Sequence, residues 1–123
     1  CMLLNRNLID QIGLFDESFF MYWEDVELSL RIRKNRFKLF SVTETFVYRL
    51  DNEPYRSENA IYYSVKNSFA LYRGYNEFSL FGLIYYQLHL MLYCLKLSVK
   101  YRNYRVISFF YSGLVSGIKN SIN

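Results

Sequence analysis

From Phe78 to Leu95 the chain runs for 18 consecutive residues without a formal charge. As a helix, that run reaches the lower length limit for crossing the hydrocarbon core of a bilayer. Three fates are open to it: an interfacial helix on a membrane, a helix buried against other helices or a second copy, or a span. Gln87, His89 and Gly82 temper its apolar character, and Glu77 and Lys96 bound it. Lys100, Arg102 and Arg105 follow. Rings and cations at one level suit a membrane interface, so an interfacial helix is the reading taken here. Aromatic content points the same way. With 13 Tyr, 11 Phe and one Trp in 123 residues, there is more apolar surface than so small a globule can hide.

Composition removes several classes. A 52% hydrophobic and 21% charged chain is not intrinsically disordered. Two cysteines, Cys1 and Cys94, cannot build a disulfide scaffold, and Cys94 reads as an inert apolar thiol. A single histidine, His89, argues against a zinc centre or a Ser-His-Asp triad. The net charge of +4 fits a nucleic acid, an anionic lipid or a phosphate-bearing ligand alike. A nucleic-acid binder would need a basic stripe with stacking aromatics, whereas the aromatics here sit among acids, so no nucleic-acid partner is expected. The opening Cys1-Met2-Leu3-Leu4 lacks the basic and apolar regions of a secretory signal. The chain is read as the carboxy-terminal part of something longer.

Asn5 is positioned to cap a short helix through Ile12, with Gly13 as its left-handed end. Leu8, Ile9 and Ile12 give that helix an apolar stripe. Leu14 to Trp23 is too irregular for a regular element and reads as a loop pinned by aromatics. In Val26–Arg33 apolar and polar residues alternate, which is the strand period. Its charges order as a helix would have them: Glu24, Asp25 and Glu27 at the start, and Arg31, Arg33 and Lys34 at the end. Glu27 and Arg31 form a favoured i,i+4 pair worth ~0.3 kcal/mol. Helix is the assignment chosen. Phe37–Val42 and Thr45–Tyr48 read as short strands. Ser57 caps a helix over about 58–72, ended by Gly74. Phe78–Tyr101 reads as one long helix, and Arg105–Asn120 as another, loosened by Gly113 and Gly117.

The densest chemistry lies between Phe15 and Ser29. Five carboxylates (Asp16, Glu17, Glu24, Asp25, Glu27) and five aromatics (Phe15, Phe19, Phe20, Tyr22, Trp23) share 15 residues. A carboxylate in the first turn of a helix is held by backbone N–H groups and the macrodipole, so its direction is fixed. Rings just ahead of it can stack on a sugar face. Such a carboxylate can take a proton from a sugar hydroxyl within hydrogen-bond reach. Taken alone, Glu24 and Asp25 are ordinary helix-start acids, and Phe19 and Phe20 read as core.

The run GLFDESFFMYWEDVELSLRIRKNRFKL resembles the acceptor-side motif of family 2 glycosyltransferases, especially rhamnosyltransferase-like and galactofuranosyltransferase-like members. Tyr62-Tyr63-Ser64-Val65-Lys66-Asn67 is similar to a Tyr-Tyr-x-x-Arg-Asn pattern of that family, with Lys66 in place of Arg. Gly113-Leu114-Val115-Ser116-Gly117 is similar to its Gly-Leu-x-x-Gly ending, and Cys1–Leu4 resembles the strand leading into the first motif.

The resemblance implies an α/β fold: the carboxy-terminal part of a GT-A, Rossmann-like domain, followed by a helical tail. Residues 1–50 would be the acceptor-side half of the catalytic domain, 51–77 a loop and helix packed on it, and 78–123 an apolar and basic tail at the membrane. It implies inverting transfer of a sugar from a nucleotide-sugar donor to a glycan or lipid-linked glycan acceptor, at the cytoplasmic face of the cell membrane. Asp25 would be the catalytic base. Glu24, Trp23, Tyr22 and Asp16 would bind the acceptor. A divalent metal, Mg or Mn, is expected for the complete enzyme, with ligands outside this chain. No Asp-x-Asp triplet is present, so the donor half would lie upstream and the chain alone would be inactive. Where related enzymes carry a histidine, this chain has Tyr48 and Arg49. They are assigned to the diphosphate and metal region, since arginine can contact a diphosphate but cannot ligate a cation. The rival reading is a non-enzymatic, membrane-associated interaction module.

Overall fold

The computed structural model describes residues 2–44, 46, 48 and 57–122. Five helices follow in order: α1 (Arg6–Ile12), α2 (Glu24–Lys34), α3 (Glu58–Gly74), α4 (Leu80–Tyr101) and α5 (Arg105–Ile122). Among the described residues there is no strand. The expected α/β, Rossmann-like architecture is therefore overturned, and what is described is all-helical. Residues 37–42 follow no regular pattern, and neither do 2–4. The reason is physical. A strand needs a neighbour to complete its hydrogen bonds and a surface to cover its apolar face. Among the described residues, Leu39, Phe40 and Val42 are exposed, with no such surface over them. Of the second expected strand, Thr45 and Val47 lie outside the described residues.

Short polar caps set the helix starts. The Asn5 side chain accepts from Asn7 N (2.9 Å), Ser57 from Ala60 N (3.3 Å) and Ser79 from Gly82 N (3.0 Å). Each satisfies a backbone donor that the helix itself cannot. Gly13 ends α1 at φ +79, a conformation that side-chain-bearing residues rarely adopt.

Helix α2 explains its own alternation. Leu28 and Ile32, four residues apart, pack with Leu8 of α1. Val26 and Leu30, also four apart, pack with Phe19 and with Leu71 of α3. At 100° per residue these pairs face nearly opposite ways. The strand-like pattern is thus two helical stripes, and α2 is sandwiched between two small cores.

The third core joins Ile61 and Val65 of α3, Leu90, Cys94 and Leu97 of α4, and Val106 and Phe110 of α5. The extensive α3–α5 interface depends on glycine. A Cβ on Gly113 would stand 2.8 Å from both Tyr62 O and Val65 Cβ, and one on Gly117 would stand 2.4 Å from Phe69 Cδ2. These glycines therefore do not loosen α5. They let it seat against α3, because no side chain holds the backbones apart. Helix α4 is long and apolar enough to cross a membrane by length and composition, yet only part of it is buried in the bundle.

Candidate functional site

The segment between α1 and α2 is built from turns that its own side chains close. Asp16 Oδ1 accepts from Ser18 N (2.9 Å), and Phe19 N donates to Asp16 O (3.0 Å). Hydrogen bonding from the Ser18 side chain, then from its backbone, holds the Asp16 carboxyl below its ordinary pKa of 3.8, and Arg31 adds to the effect. The turn carries Phe19 into the core (8% exposed) and leaves Phe20 outside (71% exposed), 5.2 Å from the Tyr63 ring.

Tyr22 and Trp23 then adopt left-handed backbone, φ 64 and 74. Two consecutive non-glycine residues in that region cost about 1–3 kcal/mol each and persist only where the surroundings over-determine them. Here the surroundings are α3. Buried Asn67 donates through Nδ2 to Met21 O (2.9 Å) and Tyr22 O (3.1 Å), while Trp23 Nε1 donates to Ser64 O (2.9 Å). The indole meets Phe78 and Tyr86 edge-on at 5.8 and 5.0 Å. Trp23 also occupies the position before α2 and makes no side-chain cap. The strained turn swings the chain so that α2 starts at Glu24.

From below, Arg31 clamps the same region. Its Nε and Nη2 grip Glu27 (3.0 and 2.9 Å), while Nη1 reaches Ile12 O (2.6 Å) and Nη2 reaches Leu14 O (2.5 Å). Glu27 is buried, and its Oε1 also accepts from Tyr75 Oη (2.5 Å). Burial, followed by this hydrogen bond, pushes the Tyr75 phenol up to about 12. Donating to the Glu27 carboxylate likewise raises Arg31 above its ordinary value. The Glu27–Arg31 pair is more than a surface i,i+4 contact, because it ties α1, α2 and the end of α3 together.

The result is an open cleft of about 640 Å³, lined by Phe15, Asp16, Glu17, Phe19, Phe20, Glu24 and Asp25. Of the residues read from sequence as site residues, Asp16, Glu24 and Asp25 meet here. Asp25 is exposed, and its Oδ1 accepts from Val26 N (2.8 Å). Glu24 Oε2 is out of solvent and has no hydrogen-bond partner among the described residues. A carboxylate oxygen in that position is costly unless something donates to it. Trp23 and Tyr22 are not among the lining residues. Tyr48 is 91% exposed, and Arg49 lies outside the described residues. Phe15 and Phe20 line the cleft although sequence reading gave them no role there. The density of rings in that run was the available signal. Among the described residues no three His, Cys, Asp or Glu side chains come together as a candidate cation site; the divalent metal that the resemblance implies is expected to take its ligands from outside this chain. A smaller groove of about 330 Å³ lies beyond Phe20, between α3 and α5, with Tyr62, Tyr63 and Phe109 in its walls.

Comparison with known proteins finds partial relatives. The low-salt glycan biosynthesis hexosyltransferase Agl10 of Haloferax volcanii is 30% identical over 74 residues, which is 56% of this chain and 24% of that protein. The N-acetylglucosaminyl-diphospho-decaprenol L-rhamnosyltransferase of Mycobacterium tuberculosis is 50% identical over 34 residues, which is 28% of this chain and 11% of that protein. Part of this chain is related in sequence to glycosyltransferases. The chain spans a quarter or less of the length of these curated relatives. No protein-family model matches it, and no solved structure does.

Proposed function

We propose that this chain supplies the acceptor side of a glycosyltransferase, with Asp25 as the base. The observation that carries the reading is the convergence of Asp16, Glu24 and Asp25 with Phe15 and Phe20 on one open cleft. The acceptor sugar lies against the rings. One of its hydroxyls donates to the Glu24 carboxylate in the cleft wall. Asp25 takes the proton of the attacking hydroxyl as its oxygen bonds to the anomeric carbon. The bond from that carbon to the diphosphate of a nucleotide-sugar breaks on the opposite face, and its electron pair leaves with the diphosphate. This gives inversion. The donor is held by residues outside this chain. A glycan or lipid-linked glycan is the acceptor, met at the cytoplasmic face of the membrane. The partial relatives, a glycan-biosynthesis hexosyltransferase and a rhamnosyltransferase named for a diphospho-decaprenol, support this class of chemistry.

The test is Asp25→Asn in the complete protein, assayed for sugar transfer from a panel of nucleotide-sugars to lipid-linked glycan in membranes. Turnover is expected to fall about 10²–10⁴-fold, the usual contribution of a positioned base, without loss of helical content. Near wild-type turnover refutes the assignment.

A further inference from the structure

Helix α4 is apolar on two sides and, among the described residues, has a partner on only one. Leu90, Cys94 and Leu97 face Val106 and Phe110 in the bundle core. On the far side, Phe81, Ile84, Leu88, Leu92, Leu95 and Val99 recur at spacings of three and four, and each is between 43 and 86% exposed. At 1.5 Å per residue that stripe runs about 27 Å. An apolar strip of such length on a soluble surface marks a docking face.

Charge says what docks there. After Glu77 the chain contains no Asp or Glu, but it contains Lys96, Lys100, Arg102, Arg105 and Lys119. Lys96 and Lys100 each follow a stripe residue by one position, about 100° round the helix, and so flank the stripe. Both are exposed. We propose that this face of α4 docks in the plane of a bilayer bearing anionic lipids, with the stripe at the acyl boundary and the cations among the headgroups. A second copy is disfavoured as the occupant. A self-complementary interface sets like surfaces together, and the segment holds no carboxylate to pair with its cations. A span is disfavoured as well. The back of α4 is fixed to the bundle, where Gln87 Nε2 donates to Ser68 Oγ of α3 at 2.7 Å. Crossing would carry Lys66 and Arg73 of α3 into hydrocarbon with it, and charges there are expensive.

Vesicle flotation of the 123-residue chain tests this, and it needs no sugar transfer, so its outcome is separate from that of the transferase reading. The chain should float with vesicles of phosphatidylcholine mixed with phosphatidylglycerol, and far less with phosphatidylcholine alone. Binding should weaken with salt and fall about five-fold for each cation removed in Lys96→Gln and Lys100→Gln. Leu88→Glu combined with Leu92→Glu should abolish flotation while the far-UV circular dichroism stays unchanged, because both side chains are exposed. Four results would overturn the proposal: equal flotation with both vesicle types, undiminished flotation of the double glutamate variant, resistance to alkaline carbonate extraction, or a dimer that this variant dissociates in a chain that does not float.

Discussion

The cleft region and the helical bundle behind it are held together by different forces. Around α2 the contacts are directional: the Arg31 fork on Glu27 and the carbonyls of Ile12 and Leu14, the Asn67 amide on the strained turn, and the Trp23 N–H on Ser64 O. Between α3 and α5 the decisive feature is the absence of atoms at Gly113 and Gly117, which lets the apolar faces close. Hydrogen bonds to fixed acceptors set orientation, and close packing sets separation. The polar set therefore orients the start of α2, which carries Glu24 and Asp25, and the packed set makes the bundle stiff.

Breaking the directional side should have the largest effect on stability. Arg31→Ala leaves Glu27 buried with Tyr75 as its hydrogen-bonding partner and releases the carbonyls of Ile12 and Leu14. The expected loss is about 3 kcal/mol, read as a lowered urea midpoint. Arg31→Lys should recover only part of it, because an ammonium cannot reproduce the fork. An unchanged midpoint in Arg31→Ala would mean the clamp holds nothing.

The packed side should give a smaller loss. Gly113→Ala gains up to about 1 kcal/mol of helix propensity but overpacks against backbone and a β-branched side chain, at a cost of about 1–3 kcal/mol. A net loss of about 1–2 kcal/mol should appear in thermal melts. Gly74→Ala is the control, since its Cβ would meet nothing within 4 Å. If the two variants melt alike, the close-approach argument fails.

The smallest effect concerns pH. The Tyr75 phenol titrates near 10 when unfolded and near 12 when folded. A raised value favours the protonated form in the folded state. This contribution is therefore full below pH 10 and is lost as pH rises toward 12. Tyr75→Phe should flatten the alkaline limb of a stability–pH curve measured by denaturation.

Much of the helical outline was legible because caps and stripes are local. Asn5, Ser57 and Gly13 lie where their chemistry requires, and the charge order of α2 outweighed its alternation. The strands were misread because propensity at Phe37–Val42 says nothing about whether a neighbouring strand exists. Gly113 and Gly117 were misread because a glycine's effect depends on what approaches it, here Val65 and Phe69 from about fifty residues away in sequence. Of the site, the clustering of Asp16, Glu24 and Asp25 was visible in one contiguous run. The turn that aims α2 was not, because its braces, Asn67 and Ser64, lie on α3. Arg31 could be paired with Glu27 by spacing, but its reach to Ile12 O and Leu14 O belongs to the tertiary fold.

The chain's one tryptophan sits immediately before the carboxylate pair, with its indole N–H bonded to Ser64 O and its ring against Phe78 and Tyr86. The protein thus carries an intrinsic fluorophore next to Glu24 of its own cleft. Detaching the turn moves that indole from an apolar niche into water and shifts its emission to the red, so the aim of Glu24 and Asp25 can be followed optically without a label.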